Sequence, residues 1–534
     1  MGCIGLGLAA GAIRLTDYQI VNADELRGRA DARRLLAETL YAKRGTIYDR
    51  NGNVLTSSVE CSNVAVNPQL IEDVDKTVSA LVKATGIDKK TCRKLVQSDG
   101  TWVYIKRQVD EDDAAALKKK NLPGVLFEQA MKRVYPYGNL ASQVLGVVNV
   151  DNVGLTGLEK QYDKLLTGTN GTLVRERARD DSYIAGGAYK KVAAIDGVDI
   201  VTTLDVNIQR AAEDALAEAV EKTKAKNGSA LVTDPTTGEI LAACSYPTYD
   251  PTNLENAKTE DMNLRLVTDA YEPGSVFKTL VAGAGFDLGV VRSSTSFEVP
   301  ASIKVGDDTV TDADKRDYAM TMDVREMMRR SSNVGFVLVG HKIGADDFAA
   351  YVDKWGVGHS SGIDFPGESL GIVKERDQYD GATLGSMSFG QALSVSPIEI
   401  ARAVGGIAND GVMMTPHFYK SSKGEEKDWG EGEQAISGDA AAQVTSCMQT
   451  VVSEGTGVGG AVDGYDVAGK TDEKGGYLKA SYMSSFMGFA PAQAPKVLCY
   501  ITLDGTPSGS DAAAVPFQVI MANALDVLGI PRTK

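Results

Sequence analysis

The order of regular segments after residue 197 restricts the fold of this chain more than any other feature. "DIVTTLD" (199–205) reads as a strand, and Asp205 can cap a helix from Asn207 to about Lys224. On that helix Ile208, Ala212, Leu216 and Val220 share one face. "SALVTDPTTGEILAAC" (229–244) is a hairpin, with a Pro235 to Gly238 turn between two strands. A long helical middle follows. "SSFMGFAP" (484–491) and "VLCYITLD" (497–504) are strand-like again, and a helix from Phe517 to Leu528 closes the chain. Strands at both ends of a helical stretch fit an α+β layered domain, one antiparallel sheet covered by helices.

The region before it has a different texture. "RGTIYDRNGNVLTSS" (44–58) fits two short strands joined by a tight turn, and residues 15–40 look helical and polar. From about 60 to 195 the pattern mixes short helices, such as Asp110 to Lys120, with short strands, such as Gly146 to Val150. With 534 residues there is room for two to four domains. A formal net charge of −15 argues against a nucleic-acid partner, which needs a concentrated basic face. Six cysteines without Cys-x-x-Cys spacing and only three histidines argue for packed thiols and against a zinc site. Scarce histidine also weakens any Ser-His-Asp scheme, so a serine hydrolase here would use lysine as its base.

Three short stretches carry chemistry. In "EPGSVFKTL" (272–280), Pro273 and Gly274 break what precedes, and apolar residues at helical spacing follow. Ser275 sits in the first turn of that helix with Lys278 on its face, beside unpaired backbone N–H groups that suit an oxyanion. An N-cap serine with a solvated lysine is the plain alternative. "RRSSNVGFV" offers Ser331 and Asn333, a hydroxyl and a carboxamide in one turn, or simply a turn after a helix ending at Arg330. "AGKTDEKGG" offers Lys470-Thr471, a pair of little weight alone because Lys-Thr also occurs at 76, 90, 222, 258 and 278. In order and within one α+β unit, the three together point to an active-site serine chemistry.

At this point the chain resembles the class B penicillin-binding proteins, the monofunctional peptidoglycan transpeptidases. The likeness extends beyond the three motifs. "RGTIYDRNG" (44–52), "RVYPYGNLASQVLG" (133–146) and "GLTGLEKQYDKLLTGTNG" (154–171) look like the family's elongated, mixed α/β pedestal. "TLDVNIQ" (203–209), "DPTTGEILA" (234–242), "YEPGSVFK" (271–278) and "SFGQALSVSPIEIA" (388–401) look like its transpeptidase domain. The resemblance implies an anchor and juxtamembrane helix over 1–39, a pedestal of the dimerisation type over 40–196, and a transpeptidase domain over 197–534. The apolar run from Ile4 to Ile13, stopped by Arg14, is too short to span a bilayer. A buried helix, an atypical signal and the last turns of an anchor all fit it, and the resemblance favours the anchor.

What the resemblance implies for the site is specific. Ser275 would attack the carbonyl between two D-alanines of a stem peptide, with Lys278, kept neutral by burial and by Lys470, taking its proton. Ser331 would relay that proton, Asn333 would bind the donor amide, and Lys470 with Thr471 would hold the terminal carboxylate. The backbone N–H groups of Ser275 and Glu473 would form the oxyanion site. No cofactor or metal is implied. The partners implied are stem peptides, β-lactams, a membrane-embedded glycan polymerase and other division or elongation proteins, with the catalytic domain outside the cytoplasm. One position departs from the family: Asp472 stands where glycine is usual. Three outcomes are open: the side chain points out of the cleft, it weakens carboxylate binding and β-lactam affinity, or it leaves an impaired scaffold. A D,D-carboxypeptidase or β-lactamase on the same fold is a further alternative, as is a non-catalytic member of a wall-synthesis complex.

Overall fold

The computed structural model describes residues 2–26, 34–176, 184–187, 189–475, 482–506 and 512–534. The chain forms two compact units. One comprises residues 1–45, 58–133 and 164–198, the other 46–57, 134–163 and 199–534.

In the first unit, Leu35–Leu40 pairs antiparallel with Gly171–Glu176, which pairs in turn with Tyr189–Val192. The helical reading of 15–40 is therefore only half right. A helix runs over Gly2–Thr16 and continues as a π turn to Val21, residues 27–33 lie outside the described residues, and 35–40 is a strand. "LLAETL" has good local helix formers, but pairing with a distant strand overrides propensity, helped by ion pairs from Arg34 to Glu176 and from Arg175 to Glu38. Among the described residues no helix is long and apolar enough to cross a membrane. A separate core gathers Val64, Val66, Val78, Leu81, Ile105, Val109 and Leu117 between the strand Val103–Asp110 and the helices Val74–Thr85 and Glu111–Lys118.

The second unit is built on a five-stranded, wholly antiparallel sheet. Its order is Ile240–Tyr246, Asn227–Thr233, Val497–Thr506, Tyr482–Ala490, Ala468–Gly475. The hairpin and the late strands read from sequence are thus neighbours. The helices Val206–Thr223 and Ala514–Val527 bury Ile208, Leu216, Phe517 and Met521 against Val232, Leu241 and Ile501. Asp205 caps the first of them, accepting from the Asn207 and Ile208 N–H groups at 2.8 and 3.4 Å. Gly146–Val150, expected to be a strand, contributes only a single bridge from Val148 to Gly154. The short helix just before it, Ser142–Leu145, is tied down by Gln143, which accepts from Ser245 N–H and donates to the carbonyls of Pro247 and Asp261 at 2.9–3.0 Å. Five cysteines (61, 92, 244, 447 and 499) are buried and unbridged.

The helix Lys278–Asp287 is buried along its length except at its last residue. It packs on Gly438–Glu454, and the 3-10 turn ahead of it, Gly274–Phe277, touches the edge strand Ala468–Gly475. A helix N-terminus is thereby brought against a sheet edge, where the site lies.

Candidate active site

Gly274 enters its turn at φ +54, a conformation that L side chains rarely adopt. Its N–H donates to the Gly390 carbonyl at 3.0 Å, and a Cβ on Gly390 would fall 1.9 Å from the Gly274 oxygen. Two glycines are therefore required for the "SFGQ" loop to brace the start of the helix. In a 3-10 turn residues i and i+3 eclipse each other. That stacks Lys278 directly over Ser275, with Nζ 2.9 Å from Oγ.

The second motif is a helix junction. The helix Val324–Arg329 ends, Ser331 adopts φ +56, and Asn333 opens the helix Asn333–Ile343. A left-handed residue just past a helix end is usually glycine, and a serine there is strained by about 1 kcal/mol or more. The strained residue presents its hydroxyl 3.2 Å from Lys278 Nζ and 2.8 Å from Lys470 Nζ. Lys278 also donates to the Ser331 carbonyl and to Asn333 Oδ1, each at 2.7 Å. Lys470 is wholly buried and donates to the Thr471 carbonyl at 2.7 Å.

Burial holds Lys278 well below the ordinary lysine value of 10.5, and the charge of Lys470 pushes it further down. Asp472 and Asp312 pull the other way. The oxygen partners around Nζ can accommodate an uncharged amine. A neutral Nζ has two N–H bonds, and the Ser331 carbonyl and Asn333 Oδ1 can only accept. Its lone pair then remains for the Ser275 hydroxyl.

The structure gathers Ser275, Lys278, Ser331, Asn333 and Lys470 into one hydrogen-bonded chain. Thr471 joins it only through its carbonyl, which accepts from Lys470, while its hydroxyl bonds to Thr456 Oγ1 at 3.0 Å. Glu473 lies on the edge strand opposite Ser484. Asp472 does not point out of the cleft. Its carboxylate is buried and accepts the backbone N–H of Ser275 at 2.6 Å.

The family model of the penicillin binding protein transpeptidase domain matches residues 228–522, and that of the penicillin-binding protein dimerisation domain matches 39–202. The chain belongs to the class B penicillin-binding proteins. It is 33% identical to the "Probable peptidoglycan D,D-transpeptidase PenA" of Neisseria meningitidis, covering 99% of this chain and 92% of that one. It is 29% identical to the peptidoglycan D,D-transpeptidase FtsI of Escherichia coli K12, covering 99% and 91%. The crystal structure of penicillin binding protein 3 from Mycobacterium tuberculosis, complexed with aztreonam, superposes with a TM-score of 0.73 at 26% identity, over 93% of this chain and 98% of that one.

Within this transpeptidase domain one important residue gave no sequence signal. Asp312 is buried in "TDADKRDY", a stretch that reads as solvated loop. Its Oδ1 accepts Val334 N–H at 3.0 Å, and its Oδ2 accepts the Ser332 hydroxyl at 2.8 Å and Arg316 at 3.0 Å. Asp312 thus clamps the turn that carries Ser331 and Asn333. Its ion pair with Arg316 is almost fully buried, at 7% and 4% side-chain exposure. Removing one partner strands the other charge, so Asp312→Ala should cost about 3–5 kcal/mol. Thermal unfolding followed by circular dichroism should show a matching drop in midpoint. An unchanged midpoint would mean the clamp contributes nothing.

Proposed function

We propose that this protein is a serine-type peptidoglycan D,D-transpeptidase that cross-links stem peptides through an acyl-enzyme on Ser275. The observation that carries this reading is the buried, depressed amine of Lys278 at 2.9 Å from the Ser275 hydroxyl. Lys278 takes the Ser275 proton as Oγ bonds to the carbonyl carbon between two D-alanines. The proton then passes by way of Ser331 to the departing amine, and D-alanine leaves. Asn333 and Lys470 orient the donor amide and its terminal carboxylate, with Thr471 beside them. The Ser275 and Glu473 N–H groups hold the oxyanion. An acceptor amine from a neighbouring stem next attacks the ester, forms the new amide and restores Ser275. β-Lactams enter the same path, with ring opening in place of D-alanine loss. Nascent wall substrates place the domain outside the cytoplasm at the cell membrane, alongside a membrane-embedded polymerase that supplies glycan strands.

Benzylpenicillin followed by intact-mass measurement and peptide mapping tests the reading. One lasting penicilloyl adduct is expected, on the peptide that contains Ser275. An adduct elsewhere, or none, would overturn it, and rapid turnover would assign the fold to a β-lactamase instead.

A further inference from the structure

The backbone N–H of Ser275 is the group that the reaction proposed above needs for the substrate carbonyl. In this chain it already has an anionic acceptor. Asp472 Oδ1 lies 2.6 Å from it, 4% of the residue is exposed, and the carboxylate sits where a Cβ on Gly274 would be, 2.2–2.3 Å from both oxygens. The contact follows from the local framework. Asp472 is on the edge strand, held in register opposite Ser485, two residues from Lys470 and so on the same side of the strand. That side faces the start of the helix, whose Ser275 N–H and positive end attract a carboxylate.

We infer that Asp472 is a specificity-determining residue that occupies half of the oxyanion site and must be displaced before Ser275 can be acylated. It is an internal competitor for the reacting carbonyl. A ligand must expend part of its binding free energy on moving the carboxylate away. A small β-lactam has few contacts from which to draw it. A stem peptide has contacts along its length, so the residue biases the site towards extended donors. The inference rests on Ser275 being the nucleophile. It differs from simple repulsion of a ligand carboxylate, which would weaken binding and leave the chemical step alone.

Stopped-flow acylation by a fluorescent penicillin separates the two, because the dependence of rate on ligand concentration yields both the dissociation constant of the encounter complex and the limiting rate of acylation. In that step the Ser275 Oγ–C bond forms as the lactam C–N bond breaks, and the hydroxyl proton goes to the lactam nitrogen. Losing an oxyanion donor outright costs about 100- to 1000-fold, so unblocking one should return somewhat less. Asp472→Gly should raise the limiting rate about 10- to 100-fold with little change in dissociation constant. Asp472→Asn keeps an oxygen that can accept the Ser275 N–H but loses the charge, and should fall between the two. Equal limiting rates in all three proteins would overturn the inference while leaving Ser275 as the nucleophile. An Asn variant equal to Gly, with the change confined to the dissociation constant, would assign the effect to charge repulsion and also overturn it. No adduct on Ser275 in any of the three, each folded by its thermal midpoint, would instead overturn the functional reading on which the inference stands.

Discussion

Lys278→Met should reduce the acylation of Ser275 by penicillin about 1000-fold or more while leaving the protein folded. Methionine fills the lysine's volume without a basic nitrogen, so the Ser275 hydroxyl loses its proton acceptor. General-base removal typically costs about 100- to 10,000-fold. The upper part of that range is expected because Lys278 also holds the Ser331 carbonyl and Asn333 Oδ1. Stability should move much less, because two effects oppose. The variant leaves those acceptors without their donor, at about 1 kcal/mol each. It also removes a costly group. Burial lowers Lys278 from its ordinary 10.5, so below that pH the unfolded chain binds a proton that the folded site resists. Folded-state stability from this group is fully present above 10.5 and is lost as pH falls towards the folded value. The methionine variant has no such loss, so its melting temperature at neutral pH should stay within a few degrees of the parent. At pH 10 to 11 the parent should gain on it. A variant that retains rapid acylation would show that another group takes the Ser275 proton.

Much of this architecture was open to reading because it is written locally. The Asp205 cap, the period of Ile208, Ala212, Leu216 and Val220, and the turn at Pro235 to Gly238 each lie within a single element, and each formed as read. The spacing of Ser275 and Lys278 has the same character, since one tight turn suffices to stack them. What escaped depends on segments far apart in the chain. Leu35–Leu40 is a strand because Gly171–Glu176 lies beside it, and nothing in "LLAETL" announces that partner. Asp312 looks like one acidic residue among several until the Ser332–Val334 turn closes on it. The orientation of Asp472 is of the same kind. Its departure from glycine was visible, but its direction is set by strand alternation and by the space that Gly274 leaves open.

Lys470→Ala should lower acylation at neutral pH about 100-fold or more and move the acid limb of its pH profile to higher pH. Two functions are lost together. One is the cation proposed for the donor's carboxylate, beside Ser331, whose hydroxyl lies 2.8 Å from Lys470 Nζ. The other is electrostatic and acts through Lys278. Burial is the main force holding Lys278 uncharged, and because two positive charges in one dry site repel, Lys470 adds to it. With Lys470 gone, only burial opposes the pull of Asp472 and Asp312 on a proton at Lys278, and the amine rises from its depressed value. At neutral pH a larger share of the enzyme then carries an ammonium that cannot accept the Ser275 proton. Raising the pH should restore part of the rate, which loss of a substrate contact alone would not do. Lys470→Arg preserves the charge and should leave the acid limb near its original position even if proton relay through Ser331 is slowed. Penicillin acylation measured from pH 5 to 10 on the three proteins reads both effects. A Lys470→Ala profile that is lower but unshifted would confine Lys470 to ligand binding, and the neutrality of Lys278 would then rest on burial alone.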